Sequence, residues 1–313
     1  MDIGIMVEGQ AGLTWERWAH ILETVERLGF PSLFRSDHFF IGRQQQSLEP
    51  YLSFVMAAMN TRRIRFGPLV TPVTFRAPVH VGRMAAQIDE LSGGRFVLGM
   101  GGGWNQPEHE QYGIEFPVVK ERLDRLEEAI QVVRALWSEG PASFAGKYYH
   151  VTDVDCLPKP VNPQPPILIG GSGELRTLKI VAKYANEWNC VNQSPDSYRH
   201  KTEVLAGYCE ANRRDPGSIR RSMMTFGMLG ASDKEVEGHL RRFFRDTDSS
   251  ADALKQRAKD RGMVVGTTQE AVDHLTKLGE LGLQEIDLQH LNFDSDEQLE
   301  YFAQELAPRL KRL

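Results

Sequence analysis

PILIGGSGELRTLKIVAKYANEWNCVN, residues 166–192, is the stretch on which the fold reading turns. PILIGG (166–171) is a short apolar run closed by two glycines and reads as a buried strand. LRTLKIVAKYA (175–185) reads as a helix, and EWNCVN (187–192) as a second strand. A strand, a helix and a strand in immediate succession imply parallel strands with the helix packed across them.

The same alternation extends to both ends of the chain. DIGIMVE (2–8) is a strand. TWERWAHILETVERLG (14–29) then places Trp15, Trp18, Leu22, Val25 and Leu28 on one helical stripe, with Thr14 as N-cap and Gly29 as stop. Further strands are expected at SLFRSD (32–37), RIRFGPLVTP (63–72), GRFVLGMG (94–101), SMMTFGML (222–229) and EIDLQHL (285–291). Helices are expected near 50–60, from Pro78 to Leu91, over 120–140, from about Pro195 to Asn212, over 268–282 and at the C-terminus. Eight strands, each followed by a helix, predict a (β/α)8 TIM barrel forming one domain over 1–313. The excess length falls in two irregular insertions, about 138–165 and 231–263; the first holds GKYYHV as a hairpin arm and LPKPVNPQPP as an extended connector. A doubly wound sheet is the competing topology.

Bulk properties narrow the class. A net charge of −5 gives no basic field for nucleic acid. No apolar run reaches roughly 18 residues, so no membrane span is expected. MDIGIMVEG lacks the regions of a signal peptide. Cys156, Cys190 and Cys209 are widely spaced and odd in number, which reads as reduced packing thiols in a cytoplasmic protein.

In a barrel the strand exits gather at one face, where catalytic groups sit. Here they carry Glu8, the trio Ser36, Asp37 and His38, then Thr71, Gly101–Gly103 with Trp104, and Gly170–Glu174. Asn189, Asn192, Thr225, Gln289 and His290 complete the rim. One His beside one Asp can arrange proton transfer, although a polar turn with a capping Asp or Ser would look the same. LIGGSGE (168–174) has the strand–glycine–helix form in which backbone N–H groups bind a phosphate. Its structural alternative is a tight turn with Ser172 capping the helix. GMGGGW (99–104) fails as a dinucleotide fingerprint, because Trp104 stands at the third glycine and no helix is expected to open there. Its glycines would instead let a flat ring or a phosphate tail lie against the backbone. HEQYG (109–113) lacks the second His of a zinc-protease motif, so no metal site is expected.

Taken in order, RSDHFF (35–40), FGPLVTPVTFRAP (66–78), IDELSGGRFVLGMGGGWNQPE (88–108) and ERLDRLEEAIQVVRALW (121–137) carry a resemblance. It continues through PKPVNPQPPILIGGSGE (158–174), RTLKIVAKYANEWN (176–189) and the late VGT and GLQEIDL. The chain resembles the bacterial luciferase-like flavin and deazaflavin oxidoreductases, especially the branch using coenzyme F420, over nearly its whole length. That resemblance implies a barrel with a deazaflavin ring in its mouth. Ser36, Asp37 and His38 would lie beside the ring, and the Leu69–Val70 bulge, with a cis peptide, beneath it next to Thr71. Gly101 and Gly102 would border it, and Trp104 and Glu108 would form the pocket floor. Gly170, Gly171, Ser172, Gly173 and Glu174 would hold the cofactor phosphate. His38 would be the acid/base, oriented by Asp37, with Glu108 as a further catalytic candidate. Trp104 stands where members that oxidise a sugar phosphate carry a catalytic Glu, which argues against that substrate.

The expected activity is hydride transfer between F420 and a small organic substrate, by a homodimer. The alternatives are an FMN-dependent monooxygenase of the same fold and a cofactor-binding protein without turnover.

Overall fold

A computed structural model describes residues 1–42 and 45–310. Its main sheet is parallel throughout and contains β1 (Asp2–Val7), β2 (Ser32–Arg35), β3 (Arg65–Pro68), β4 (Thr71–Pro72) and β5 (Leu98–Gly101). A hairpin, β6 (Ala142–Ala145) and β7 (His150–Val154), stands apart. The sheet resumes with β8 (Ile167–Gly170), β9 (Glu187–Val191) and β10 (Arg220–Thr225). A separate parallel pair, β11 (Gly227–Gly230) and β12 (Val264–Thr267), precedes the last barrel strand, β13 (Glu285–His290).

The order β3-β2-β1-β13-β10-β9-β8-β5-β4 has eight positions rather than nine, because β3 and β4 are halves of one strand broken at Leu69–Val70. A bridge from Phe66 to Phe96 closes the ring. The expected barrel is present, with corrections at two strands. The run 63–72 is interrupted where the Leu69–Val70 peptide is cis. The run 222–229 is split at Phe226, and its second half leaves the barrel to pair with β12.

Helices wrap the outside: α1 (Trp15–Leu28), α2 (Pro50–Asn60), α3 (Pro78–Ser92), α4 (Gln106–Tyr112), α5 (Val119–Trp137), α6 (Thr177–Tyr184) and α7 (Pro195–Ala211). In α1 the Thr14 hydroxyl accepts from the Arg17 N–H, and left-handed Gly29 closes the last turn on Val25 and Glu26. Trp18, Leu22 and Val25 are buried, but Trp15, the first helical residue, leaves the stripe and is 46% exposed. The α4 helix corrects the expectation that none opens after GMGGGW; Pro107 in its first turn suits a helix start. The 231–263 region holds α8 (Asp233–Phe244) and α9 (Ala251–Asp260), followed by α10 (Thr268–Glu280) with a Thr267/Glu270 capping box.

The barrel interior is layered. At its floor Ser32, Glu187 and Glu285 are buried and meet the half-buried Arg65 and Arg220, and Asp287, Asn189 and Ser222 extend this polar cluster. Gly4 keeps that space open: a Cβ there would collide with Asp287 and Ser32. Nearer the mouth Met6, Phe34, Leu69, Val97 and Leu168 make an apolar layer, joined by Val70 and Met224. This dry shelf separates the floor charges from whatever binds at the rim.

Candidate active site

The polar residues after β2 diverge to three separate partners. Ser36 Oγ accepts from the Gly9 N–H at 3.0 Å and donates to Gln10 Oε1 at 2.7 Å, tying the β1 and β2 exits together. Asp37 is 2% exposed and accepts from Arg76 at 2.6 and 3.2 Å and from Thr71 Oγ1 at 2.9 Å. Arg76 also binds Glu49 at 2.6 Å, and the Tyr51 hydroxyl meets Thr71 Oγ1 at 3.0 Å. Burial opposes the Arg76 charge, but Asp37 outweighs it and drives the guanidinium pKa upward.

His38 turns the other way. Its Nδ1 lies 2.7 Å from Glu108 Oε2, while Glu108 Oε1 accepts the N–H groups of Phe39 (2.6 Å) and Phe40 (3.0 Å). Asp37 therefore does not orient the imidazole; Glu108 does, from the first turn of the unexpected α4. Burial pulls the His38 pKa down, but the hydrogen bond and charge of Glu108 prevail, with Glu8 and Asp37 adding to them, and the net shift is upward. Burial raises the Glu108 pKa, and the bonds from His38, Phe40 and Phe39 lower it further than that. Glu108 thus holds the imidazole through Nδ1 and favours its protonated form. His38 Nε2 bonds nothing among the described residues and is left for a ligand. The Trp104 ring meets His38 edge-on at 5.4 Å and is 66% exposed, standing at the rim rather than forming a floor.

His109 is structural: it bonds Thr74 Oγ1 at 2.7 Å and the Asn105 carbonyl at 2.8 Å. In the loop 39–49, residues 43 and 44 lie outside the described residues.

The rim glycines serve the broken strand. A Cβ on Gly101 would sit 2.6 Å from Val70 Cγ2, and one on Gly170 2.9 Å from Val70 Cγ1. Their absent side chains make room for the Val70 bulge, a use not foreseen when they were expected to face a ring or tail. Gly102 faces Leu123 of α5.

At Gly171 φ is +118°, a conformation that favours glycine. Its N–H donates to the Asn189 carbonyl at 3.0 Å, and its own carbonyl accepts from the Trp188 indole at 2.8 Å. The following helix starts at Thr177, two residues later than expected, and Ser172 does not cap it. The N–H groups of Ser172, Gly173 and Glu174 meet no acceptor among the described residues. Lys201 crosses from α7 to the Ser172 carbonyl (3.1 Å) and to Glu174 (3.0 Å), leaving the Glu174 side chain committed to a cation. These free donors and the nearby ammonium fit an anion. The buried Gln289 Oε1, unpartnered at the β13 exit, fits a ligand that donates a hydrogen bond.

Arg76, Tyr51, Trp188 and Lys201 were not singled out from sequence. Arg76 and Trp188 left a trace, inside FGPLVTPVTFRAP and RTLKIVAKYANEWN.

A parallel barrel with its polar groups at the strand exits defines a class of enzyme-bearing folds, and comparison narrows it. The chain belongs to the luciferase-like monooxygenase family, whose model matches residues 1–285. It is 26% identical over 315 residues to F420-dependent glucose-6-phosphate dehydrogenase of Amycolatopsis mediterranei, covering 92% of both chains. Its fold is shared with the coenzyme F420-dependent tetrahydromethanopterin reductase of Methanopyrus kandleri (TM-score 0.81, 18% identity, 99% and 100% coverage). It is shared equally with an F420-dependent secondary alcohol dehydrogenase solved with an F420–acetone adduct (TM-score 0.81, 20% identity, 99% coverage of each).

Proposed function

We propose that this protein is a coenzyme F420-dependent oxidoreductase that moves hydride between the deazaflavin and a small organic substrate. The observation that carries it is the His38–Glu108 pair, set at the rim with Nε2 unengaged among the described residues. Full-length relatives named as F420-dependent dehydrogenases support the cofactor. When bound, the deazaflavin supplies a two-electron hydride acceptor or donor that scarcely reacts with oxygen.

The chain's own groups do the rest. The apolar layer and the Val70 shelf would keep water away from a bound ring, and the free N–H groups of 172–174 would hold its phosphate. His38 Nε2 takes the proton of an alcohol oxygen during oxidation or returns it during reduction. Glu108 fixes the ring so that Nδ1 keeps its proton and Nε2 faces the chemistry. Asp37, locked to Arg76 and Thr71, holds the rim in shape.

Residues Leu52 and Met59 of α2 and Leu91 of α3 are 60%, 60% and 48% exposed on neighbouring helices, and that face pairs two copies as a homodimer. The three cysteines are buried free thiols, in keeping with a cytoplasmic setting.

Fluorescence titration with F420 and FMN side by side tests the cofactor. F420 is expected to bind, and Gly171→Asp to weaken it at least tenfold more than Gly171→Ala, which carries the same backbone strain without the charge. Equal losses in the two variants, or tighter binding of FMN, would refute the reading.

A further inference from the structure

The rim has a second half, around the exits of β10 and β13, that the proton-transfer groups do not use. A cavity of about 480 Å³ lies there, a size that suits a small organic molecule. Phe226, Met228, Leu229, Phe243 and Leu291 give it an apolar wall, and the Phe226 and Phe243 rings meet edge-to-face at 5.0 Å. The α8 helix, which comes from the 231–263 region, forms its outer side.

Three observations say what it takes. First, Gln289 lines the cavity, is 5% exposed, and its Oε1 has no partner; its Nε2 rests on Met224 Sδ at 3.2 Å. A buried, unpaired carbonyl calls for a ligand with an O–H or N–H to donate. Second, the charge on the wall is wrong for a phosphate. Among the described residues that line it, Arg242 is the one fixed cation, against the carboxylates of Glu235 and Glu297. Burial, aided by Arg242, lowers the His239 pKa and favours the uncharged imidazole, so it adds little positive charge to the wall. Third, the cavity shares the rim with the proton carrier, which is not itself among its lining residues. Val7 of β1 is in register with both Arg35 of β2 and His290 of β13. Two strand spacings, about 10 Å, therefore separate the exit bearing Gln289 from the one leading to His38.

We infer that this cavity is the substrate chamber and that it takes a neutral, mainly apolar alcohol, or the matching ketone, rather than a phosphorylated sugar. The inference rests on the function proposed above and names its substrate class. In the oxidative direction the alcohol O–H proton passes to His38 Nε2. The carbinol C–H bond breaks with its electron pair going as hydride to the oxidised deazaflavin, and the C=O bond forms. The alcohol loses two electrons and two hydrogens, one as hydride and one as proton. Gln289 Oε1 accepts from the alcohol O–H as the alcohol binds, before that proton moves to His38.

The test uses the full chain with F420, and 2-octanol, 2-octanone and glucose 6-phosphate as probes. Saturation-transfer NMR reads ligand binding with and without cofactor, and initial rates give KM. The wild-type protein is expected to bind and oxidise 2-octanol and to show no signal with glucose 6-phosphate. Leu291→Trp, at a half-exposed position where the larger ring can be accommodated, fills the chamber and should raise the 2-octanol KM at least tenfold. F420 affinity should stay within twofold. Gln289→Leu should weaken 2-octanol about tenfold and leave 2-octanone, which has no O–H to donate, unchanged. F420 binding without a 2-octanol signal, preference for glucose 6-phosphate, or a Leu291→Trp variant with unchanged KM would overturn the chamber. A 2-octanol signal sensitive to Leu291→Trp in a protein that binds no F420 would support the chamber and overturn the cofactor reading instead.

Discussion

The two halves of the barrel mouth are built on opposite plans. Around β2, β4 and α4 the side-chain oxygens of Ser36, Asp37, Thr71 and Glu108 are all partnered, most at 3.0 Å or less. On the other side, among the described residues, Gln289 Oε1 at the β13 exit is buried without a partner beside an open cavity, and Asn192 Oδ1 after β9 is buried without a partner. A group that must pass a proton needs fixed geometry before the substrate arrives. Groups that recognise a substrate must keep hydrogen-bonding capacity for it. The closed half is suited to chemistry and the open half to selection.

The sharpest way to break this division is at His38. His38→Ala should lower turnover by about 10²–10⁴ while F420 affinity stays nearly intact, since the imidazole acts on a proton and the ring is held elsewhere. Glu108→Gln keeps the shape and removes the charge that raises the His38 pKa. The wild-type rate of alcohol oxidation should rise with pH through a pKa above 6.5, because only neutral imidazole accepts a proton; in Glu108→Gln that limb should move to lower pH. Stability follows the same linkage with its own sign. A raised His38 pKa contributes stability that is full below 6.5 and lost as pH rises through the folded value. The lowered Glu108 pKa contributes stability present above 4.5 and lost as pH falls through its folded value. Melting curves across pH should therefore flatten in Glu108→Gln, at a cost of about 1–3 kcal/mol at neutral pH. A normally active His38→Ala protein would end the division of labour between the halves.

A smaller change is expected at Asp37, and it separates scaffold from chemistry within the closed half. Asp37→Asn leaves Arg76 with Glu49 alone and breaks a buried pair, so stability should fall by about 3 kcal/mol. Turnover should fall less than tenfold, and the pH profile should barely move, because Glu108 and not Asp37 bonds the imidazole. A displaced pH profile equal to that of Glu108→Gln would mean that Asp37 governs the proton after all.

How far all this was legible in sequence depended on the range of each interaction. The strands and helices were, because apolar runs and 3.6-residue stripes are local signals. Thr14 and Gly29 cap α1 as read. The break at Leu69–Val70 came from resemblance alone, and the α4 helix was missed because the glycines and Trp104 before it mask a short start. His38, Asp37 and Glu108 were singled out as candidates and all lie at the rim, but the pairing read for them is not the one the structure shows. Adjacent residues suggested an Asp37–His38 couple, whereas alternate side chains at a strand exit point apart, one toward β4 and the other toward α4. The open half was legible only as rim positions such as Asn192 and Gln289: an orphaned Gln289 oxygen is a fact about missing neighbours, and no local pattern encodes an absence.

The smallest expected effect lies at Trp188, where closed construction reaches into the phosphate loop. Trp188 is fully buried, and its ring lies parallel to Tyr198 at 6.0 Å. Its indole N–H holds the Gly171 carbonyl at 2.8 Å, opposite the bond that Gly171 N–H makes to Asn189. Two bonds fix one peptide on either side of a left-handed glycine, and the free N–H groups of 172–174 follow from that orientation. Trp188→Phe keeps an aromatic ring against Tyr198 and removes only the donor. One neutral hydrogen bond is worth about 0.5–1.5 kcal/mol, so F420 affinity should fall by roughly two- to tenfold. The pH profile set by His38 and Glu108 should not change, since neither residue touches this loop. A general loss of structure would move melting temperature and pH profile together with affinity; a loop effect moves affinity and its salt dependence alone. Unchanged F420 binding in a well-folded Trp188→Phe protein would show that the glycine turn holds its shape without the indole.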